Sequence, residues 1–301
     1  MTGTVVAGLD GSRESRAAAE WAAREAVLRG LALKVVHVSE PLPQPMAQAP
    51  LLGAETRAHW SERVPRETAE GLRLRHPGVE VGMERLSGRA AELLAAEARD
   101  ADLLVLGSRG LGGLRGFLLG SVSQSVLAHA ERPVVLVRAG EQAADEHEFD
   151  PAGIPSAATA FRPVVVGVDP AGPAEAVLAF AFEEAGRRRA SLRAVSGWNL
   201  PPYYLYGLSA DAGLHDELVR RQTALLSEAL RPWREKHPAV DVVEESPSGS
   251  ASLRLVEAAR TGSLVVVGRR VRRTPLGPHI GPVAHAVLHH AACPVAVVPH
   301  R

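Results

Sequence analysis

The chain has 301 residues, 34 Lys and Arg against 34 Asp and Glu, and 46% hydrophobic residues, enough for about two globular domains. Balanced charge and only 4% aromatic residues exclude a chain built mainly to grip nucleic acid or an anionic membrane, which would need a basic face or stacking platforms. A single cysteine, Cys293, excludes an internal disulfide and a cysteine-based zinc site.

Residues 4–9 read as a short apolar strand ending at Asp10-Gly11-Ser12. The spacing of Ala17, Trp21, Ala22 and Ala26 predicts a helix over 13–29, with Ser12 as its N-cap and Gly30 as its left-handed stop. A second buried strand follows at 33–38, then a proline-rich irregular stretch at 41–52 and a long helix at 55–75. Residues 79–86 alternate as a strand would, and 88–99 return to helical spacing through Ala90, Leu93, Leu94 and Ala98. The run 103–106 is apolar on both faces, as in a parallel sheet, and Arg132-Pro133 leads into a fifth strand at 134–137. Strand alternating with helix is the rhythm of a parallel sheet covered on both sides.

The stretch LLVLGSRGLGGLRGFLLGSV, residues 103–122, carries the chemistry. Gly107, Gly110, Gly112, Gly113, Gly116 and Gly120 lie between the strand and Ser121, so the backbone can turn sharply and bring its amides close to a ligand. Ser121 is placed to cap a helix whose first free N–H groups and positive dipole end favour an anion. No G-x-x-x-x-G-K-[ST] occurs, and the dinucleotide fingerprint fails because its third glycine would fall on Arg115.

Residues 141–160 have five acidic residues, no Lys or Arg and no sustained periodicity, and read as a linker. The pattern then starts again. PVVVGVD at 163–169 repeats TVVAGLD at 4–10 with an offset of 159. The offset settles at 161 for His237-Pro238 against His76-Pro77, Gly268 against Gly107, Gly281 against Gly120 and Pro294 against Pro133. A near-constant offset over several elements means a duplicated domain, here 1–140 and 161–301, with about two residues inserted early in the second.

Gly107, two residues, Gly110, nine residues, then Gly120-Ser121 is similar to the ATP-binding signature of the universal stress protein family, and both halves resemble single domains of it. The resemblance implies two doubly wound, five-stranded parallel-sheet domains of Rossmann-like, adenine nucleotide alpha hydrolase-like fold, with strand order 3-2-1-4-5. The ligand crevice of such a sheet lies where strand order reverses, between strands one and four, so Asp10 and Gly107 should converge. It further implies ATP as ligand, with Asp10, Gly11 and Ser12 at the tip of strand one and Val38 facing the adenine. Gly107, Ser108, Arg109, Gly110, Gly120, Ser121, Val122 and Ser123 would take ribose and phosphates. A carboxylate beside polyphosphate is repulsive without a counter-cation, so Mg²⁺ accompanying the nucleotide, with Asp10 as its one protein ligand, belongs to this expectation.

The second half departs from the motif, with Val271 where Gly110 stood and Pro282 where Ser121 stood, and ATP binding there is left open. Its candidate residues are Asp169, Val195, Gly268, Arg269, Arg270, Gly277, Gly281 and Val283. Val271 resists positive φ, and Pro282 lacks a hydroxyl and an amide donor. Arg269, Arg270, Arg272 and Arg273 could instead clamp phosphates, or form a solvated turn neutralised by Glu244 and Glu245. His279, His285, His289 and His290 near Cys293 read as structural before metal-binding, and Cys293 as a small buried residue. The apolar fifth strands, 134–137 and 295–298, would aggregate as bare edges, and the resemblance implies an internal pseudo-dimer, with a homodimer of chains left open.

Together these readings give a nucleotide-responsive stress or regulatory module with an unidentified protein partner and no nucleic-acid or membrane partner. The alternative is a weak ATP hydrolase or phosphotransferase using the same pocket, and a flavin in an electron-transfer-flavoprotein-like fold is a further rival. The start of the sequence has no secretory pattern and no run approaches about 18 apolar residues, so a cytoplasmic protein is expected.

Overall fold

The computed structural model describes residues 3–40, 54–108, 120–199, 212–271 and 280–301. The chain divides into two units, Met1–Gln142 and Ala143–Arg301. The first contains β1 (Thr4–Leu9), α1 (Arg13–Arg29), β2 (Ala32–Ser39), α2 (Ala54–Arg75), β3 (Val81–Ser87), α3 (Ala90–Asp100), β4 (Leu103–Gly107), α4 (Ser121–His129) and β5 (Val134–Val137). Its strands run parallel in the order β3-β2-β1-β4-β5. The second contains β6 (Val164–Gly167), α5 (Glu175–Arg188), β7 (Leu192–Val195), α6 (Ala212–Lys236), β8 (Val242–Glu245), α7 (Ala251–Ala258), β9 (Leu264–Arg270), α8 (Pro282–His290) and β10 (Val295–His300). Its own order, β10-β9-β6-β7-β8, is the same arrangement.

The apolar runs explain the sheet centres. Val5, Val6 and Ala7 of β1 and Leu103, Leu104 and Val105 of β4 are buried because helices cover both faces: α1 and α2 on one, α3 and α4 on the other. Small residues on α1, including Ala18, Ala22 and Ala26, let it seat closely against the sheet, while Trp21 fills the space between. Burying side chains such as Trp21, Leu33 and Leu72 contributes about 1.5–3 kcal/mol apiece. Gly30 closes α1 at φ 63°, with its N–H donating to the carbonyls of Ala26 and Val27. In the second unit α5 and α6 pack on one face and α7 and α8 on the other, around Phe182, Leu192 and Leu226.

The repeat extends to a detail that composition hides. Glu25 and Arg29 form an ion pair at 2.5 Å on the buried face of α1, and Glu184 and Arg188 form the matching buried pair on α5. Where Gly30 ends α1, Arg189 ends α5 in the same left-handed conformation, at φ 50°.

The stretch with linker composition is structured from Ala143 onward and groups with the second unit. A short 3-10 turn at Ala143–Glu146 precedes antiparallel bridges from His147 to Phe161 and from Phe149 to Pro155. The rings of His147 and Phe161 meet at a tilt, their centroids 4.0 Å apart, and the Arg188 guanidinium lies 5.8 Å from the Phe161 ring. A few anchors hold this segment, and a few anchors leave no period in the sequence. Predicted element ends hold to within about two residues: β3 starts at Val81 because the Val79 N–H instead closes a turn onto the His76 carbonyl. The proline-rich stretch 41–52 lies outside the described residues. No helix among the described residues is long and apolar enough to cross a membrane.

Candidate functional site

In the first unit Ala7 stands opposite Val105, and the parallel register carries Leu9 level with Gly107. Asp10 and Gly107 therefore open onto one crevice of about 100 Å³, at the carboxyl edge where strand order reverses. Asp10, Ser12, Val38, Gly107, Gly120, Ser121, Val122 and Ser123 all line it. Gly11, at φ 87°, turns the chain so that the Ser12 N–H donates to Asp10 Oδ1 at 2.9 Å, and Ser12 Oγ accepts the Ser15 N–H at 3.1 Å. Gly11 shapes this turn and is not in the wall; Asp10 both forms the turn and faces the crevice.

The structure places three serines of this stretch. Ser121 is the first residue of α4, not its cap; the N-cap is Gly120, which has no side chain to offer, so the leading amides of α4 stay available. Ser123 spends its hydroxyl on the Gly107 carbonyl at 3.1 Å, tying α4 to the end of β4. Ser108 is buried, and its N–H and hydroxyl both donate to the Val137 carbonyl, at 2.8 and 3.3 Å, so its side chain serves the β4–β5 edge and not the crevice. Gly107 has a packing reason of its own. A Cβ there would lie 2.6 Å from the Glu14 carbonyl carbon and the Ser15 nitrogen, so only glycine admits the first turn of α1. Arg109 and Gly110 lie outside the described residues. Glu14, Val36, Ala90 and Leu94 also line the crevice. Ala90 and Leu94, four apart on the apolar side of α3, are the signal by which a wall could have been read.

The second unit has a larger crevice in the matching place, about 370 Å³. Asp169, Val195, Gly268, Arg270, Gly281 and Val283 line it, together with Leu255, Pro282 and His300, which sequence reasoning had not assigned. Of the arginines of this stretch that are described, Arg270 lines the crevice and Arg269 does not. Arg269 alternates away from Arg270 along β9 and is 4% exposed, and burial pushes its guanidinium below its ordinary pKa. Val271 continues the strand pairing, donating its N–H to the His300 carbonyl at 2.7 Å, a conformation that suits a β-branched residue. Glu244 and Glu245 do not neutralise this turn, since Glu245 pairs with Arg193 and Glu244 with Arg234. Gly277, Arg272, Arg273 and His279 lie outside the described residues.

Among the described residues no three His, Cys, Asp or Glu are grouped to hold a metal, so a cation beside Asp10 would share ligand oxygens. The rings of His285 and His289 lie 4.4 Å apart on α8, and Cys293 is buried.

A model of the universal stress protein family matches residues 1–138 and again 160–299. A universal stress protein of Mycolicibacterium smegmatis is 32% identical over 307 residues, spanning 99% of this chain and 97% of its own. One from Mycobacterium tuberculosis is 35% identical over 314 residues, spanning 97% and 94%. Among solved structures, a universal stress protein from Archaeoglobus fulgidus superposes with a TM-score of 0.68 at 15% identity, covering 99% of both chains.

Proposed function

The chain belongs to the universal stress protein family, carrying two of its domains in tandem, and from that premise we propose that its first unit binds ATP with Mg²⁺ and that occupancy modulates a regulatory surface. The observation that supports this most is the uncapped N-terminus of α4 facing Asp10 across one crevice. Anionic oxygens suit the amides of Ser121, Val122 and Ser123, which have no intrahelical acceptor. Val38, Ala90 and Leu94 supply an apolar wall fit for a flat base. Mg²⁺ bound to the phosphates would offset the repulsion from Asp10 and Glu14, the two carboxylates lining the crevice.

A ligand that binds only the folded state raises stability, by about 2.7 kcal/mol at a hundredfold excess over Kd. ATP with Mg²⁺ is therefore expected to raise the melting temperature of the intact chain, and Asp10→Ala to lessen that shift. The baseline of the variant falls as well, because Asp10 Oδ1 holds the Ser12 N–H, so the informative quantity is the ligand-induced increment. No increment in the parent protein would refute the reading. Glu14 in the wall favours hydrolysis as a second reading, since it adds a base within the crevice. Single-turnover kinetics with ATP, comparing the parent with Glu14→Gln, separate turnover from binding.

A further inference from the structure

The crevice of the second unit is larger than that of the first, and the reason lies in where a helix begins. Arg13 opens α1 three residues after Asp10, so the backbone at Glu14 and Ser15 presses against Gly107. Glu175 opens α5 six residues after Asp169, because Pro170, Gly172 and Pro173 carry the chain through a longer turn. With the first helical turn withdrawn, what lies beside Gly268 is the His300 ring and the Val177 side chain, and a hollow of about 370 Å³ remains. That volume falls within the range of small-molecule sites.

Its chemistry differs from that of a triphosphate site. Val168, Leu178, Val195, Leu255 and Val267 make the walls predominantly apolar. Arg270 stands exposed in the lining at the end of β9. Pro282 removes the leading amide of α8 and leaves those of Val283 and Ala284, both in the wall. Asp169 is the only carboxylate among the described lining residues, and its Oδ1 already accepts the Ala171 N–H at 3.1 Å. Among the described lining residues, one guanidinium and two amides match a single carboxylate with an apolar body.

We propose that this crevice is a separate ligand site for a small apolar carboxylate, of aromatic or branched hydrocarbon type. It rests on a cavity distinct from the one proposed for ATP and stands whether or not the first unit binds nucleotide.

The test is a titration of the full-length ¹⁵N-labelled protein, followed by amide shifts, with phenylacetate, with neutral phenylacetamide and with ATP and Mg²⁺. Phenylacetate is expected to produce saturable shifts at Val168, Val195, Gly268 and Val283 while leaving Asp10 and Ser121 in place. Phenylacetamide should bind about tenfold or more weakly, and Arg270→Gln should weaken phenylacetate by a similar factor, since charged hydrogen bonds are the stronger ones. Arg270 is exposed, so this variant leaves the core intact. Ala174→Phe, which fills the rim from the N-cap of α5, provides a second variant and should abolish the shifts. Equal affinity for the acid and the amide, shifts confined to the first unit, absence of saturable shifts, or ATP displacing phenylacetate from the second crevice would each overturn the proposal. Loss of ATP binding at the first unit, by contrast, would leave it untouched.

Discussion

Ser121→Pro separates the ligand argument from the folding argument at one residue. Gly120 precedes it at φ −63° and ψ 151°, the extended conformation that a following proline demands. Ser121 is the first residue of α4, where a proline ring fits and the lost N–H had no partner within the helix. The second unit already carries this solution, with Gly281 at φ −59° and ψ 156° ahead of Pro282. The unliganded protein should therefore keep its stability, or gain up to about 1 kcal/mol through a stiffer unfolded chain. Binding should suffer, because the substitution removes an amide and a hydroxyl from the crevice wall. Hydrogen bonds to charged groups contribute about 1.5–3 kcal/mol, so Kd for ATP with Mg²⁺ is expected to rise roughly 10- to 100-fold. Calorimetric titration gives the affinity and a thermal melt without nucleotide gives the stability. Unchanged affinity would mean that phosphates do not meet the N-terminus of α4. A sharp fall in the unliganded melt would mean that the helix start is wrongly understood.

Three further outcomes follow from packing, each readable in urea denaturation. Gly107→Ala drives a Cβ to 2.6 Å from α1 backbone and should cost about 1–3 kcal/mol, whereas Gly268→Ala meets the far end of the His300 ring and should cost less; the reverse order would refute this account of the two crevices. Glu184→Ala removes the carboxylate that pairs with buried Arg188 and should destabilise by about 3–5 kcal/mol. Arg189→Gly relieves a left-handed residue and should stabilise by up to about 1 kcal/mol, with Gly30→Arg giving the opposite sign.

The strands and helices were legible where burial is continuous. β1 and β4 are covered on both faces, so their apolar runs are uninterrupted, and Ser12 and Gly30 mark the ends of α1 by chemistry that needs no tertiary knowledge. Less legible was which way a side chain turns. Arg269 and Arg270 are identical in type, and only the pleat of β9 sends one inward and the other to the crevice. Ser108 reads like a loop residue offering a hydroxyl, yet the end of β5 takes both of its donors. The buried pairs Glu25–Arg29 and Glu184–Arg188 were in principle readable, because both carry the early offset of the repeat, but charged residues on a helix read first as solvated.

The comparison of the two halves points to the helix start, as well as the glycine motif, as what sets each crevice. Gly107 and Gly268 occupy corresponding strand ends, yet one faces helix backbone and the other a histidine ring. The difference originates in the turn after the aspartate: Asp10-Gly11-Ser12 caps a helix at once, whereas Asp169-Pro170-Ala171-Gly172-Pro173 delays it and leaves Ala174 as an uncapped start. Replacing residues 170–174 by Gly-Ser-Arg-Glu-Ser, which occupies 11–15 in the first half, should therefore start the helix earlier and close the second crevice even with Gly268, Gly281 and Arg270 kept. The amide shifts induced by phenylacetate would report that closure directly. Retained binding in such a chimera would place the determinant in the β9–α8 connection instead, and would reverse the order of cause argued from Gly107 and Gly268.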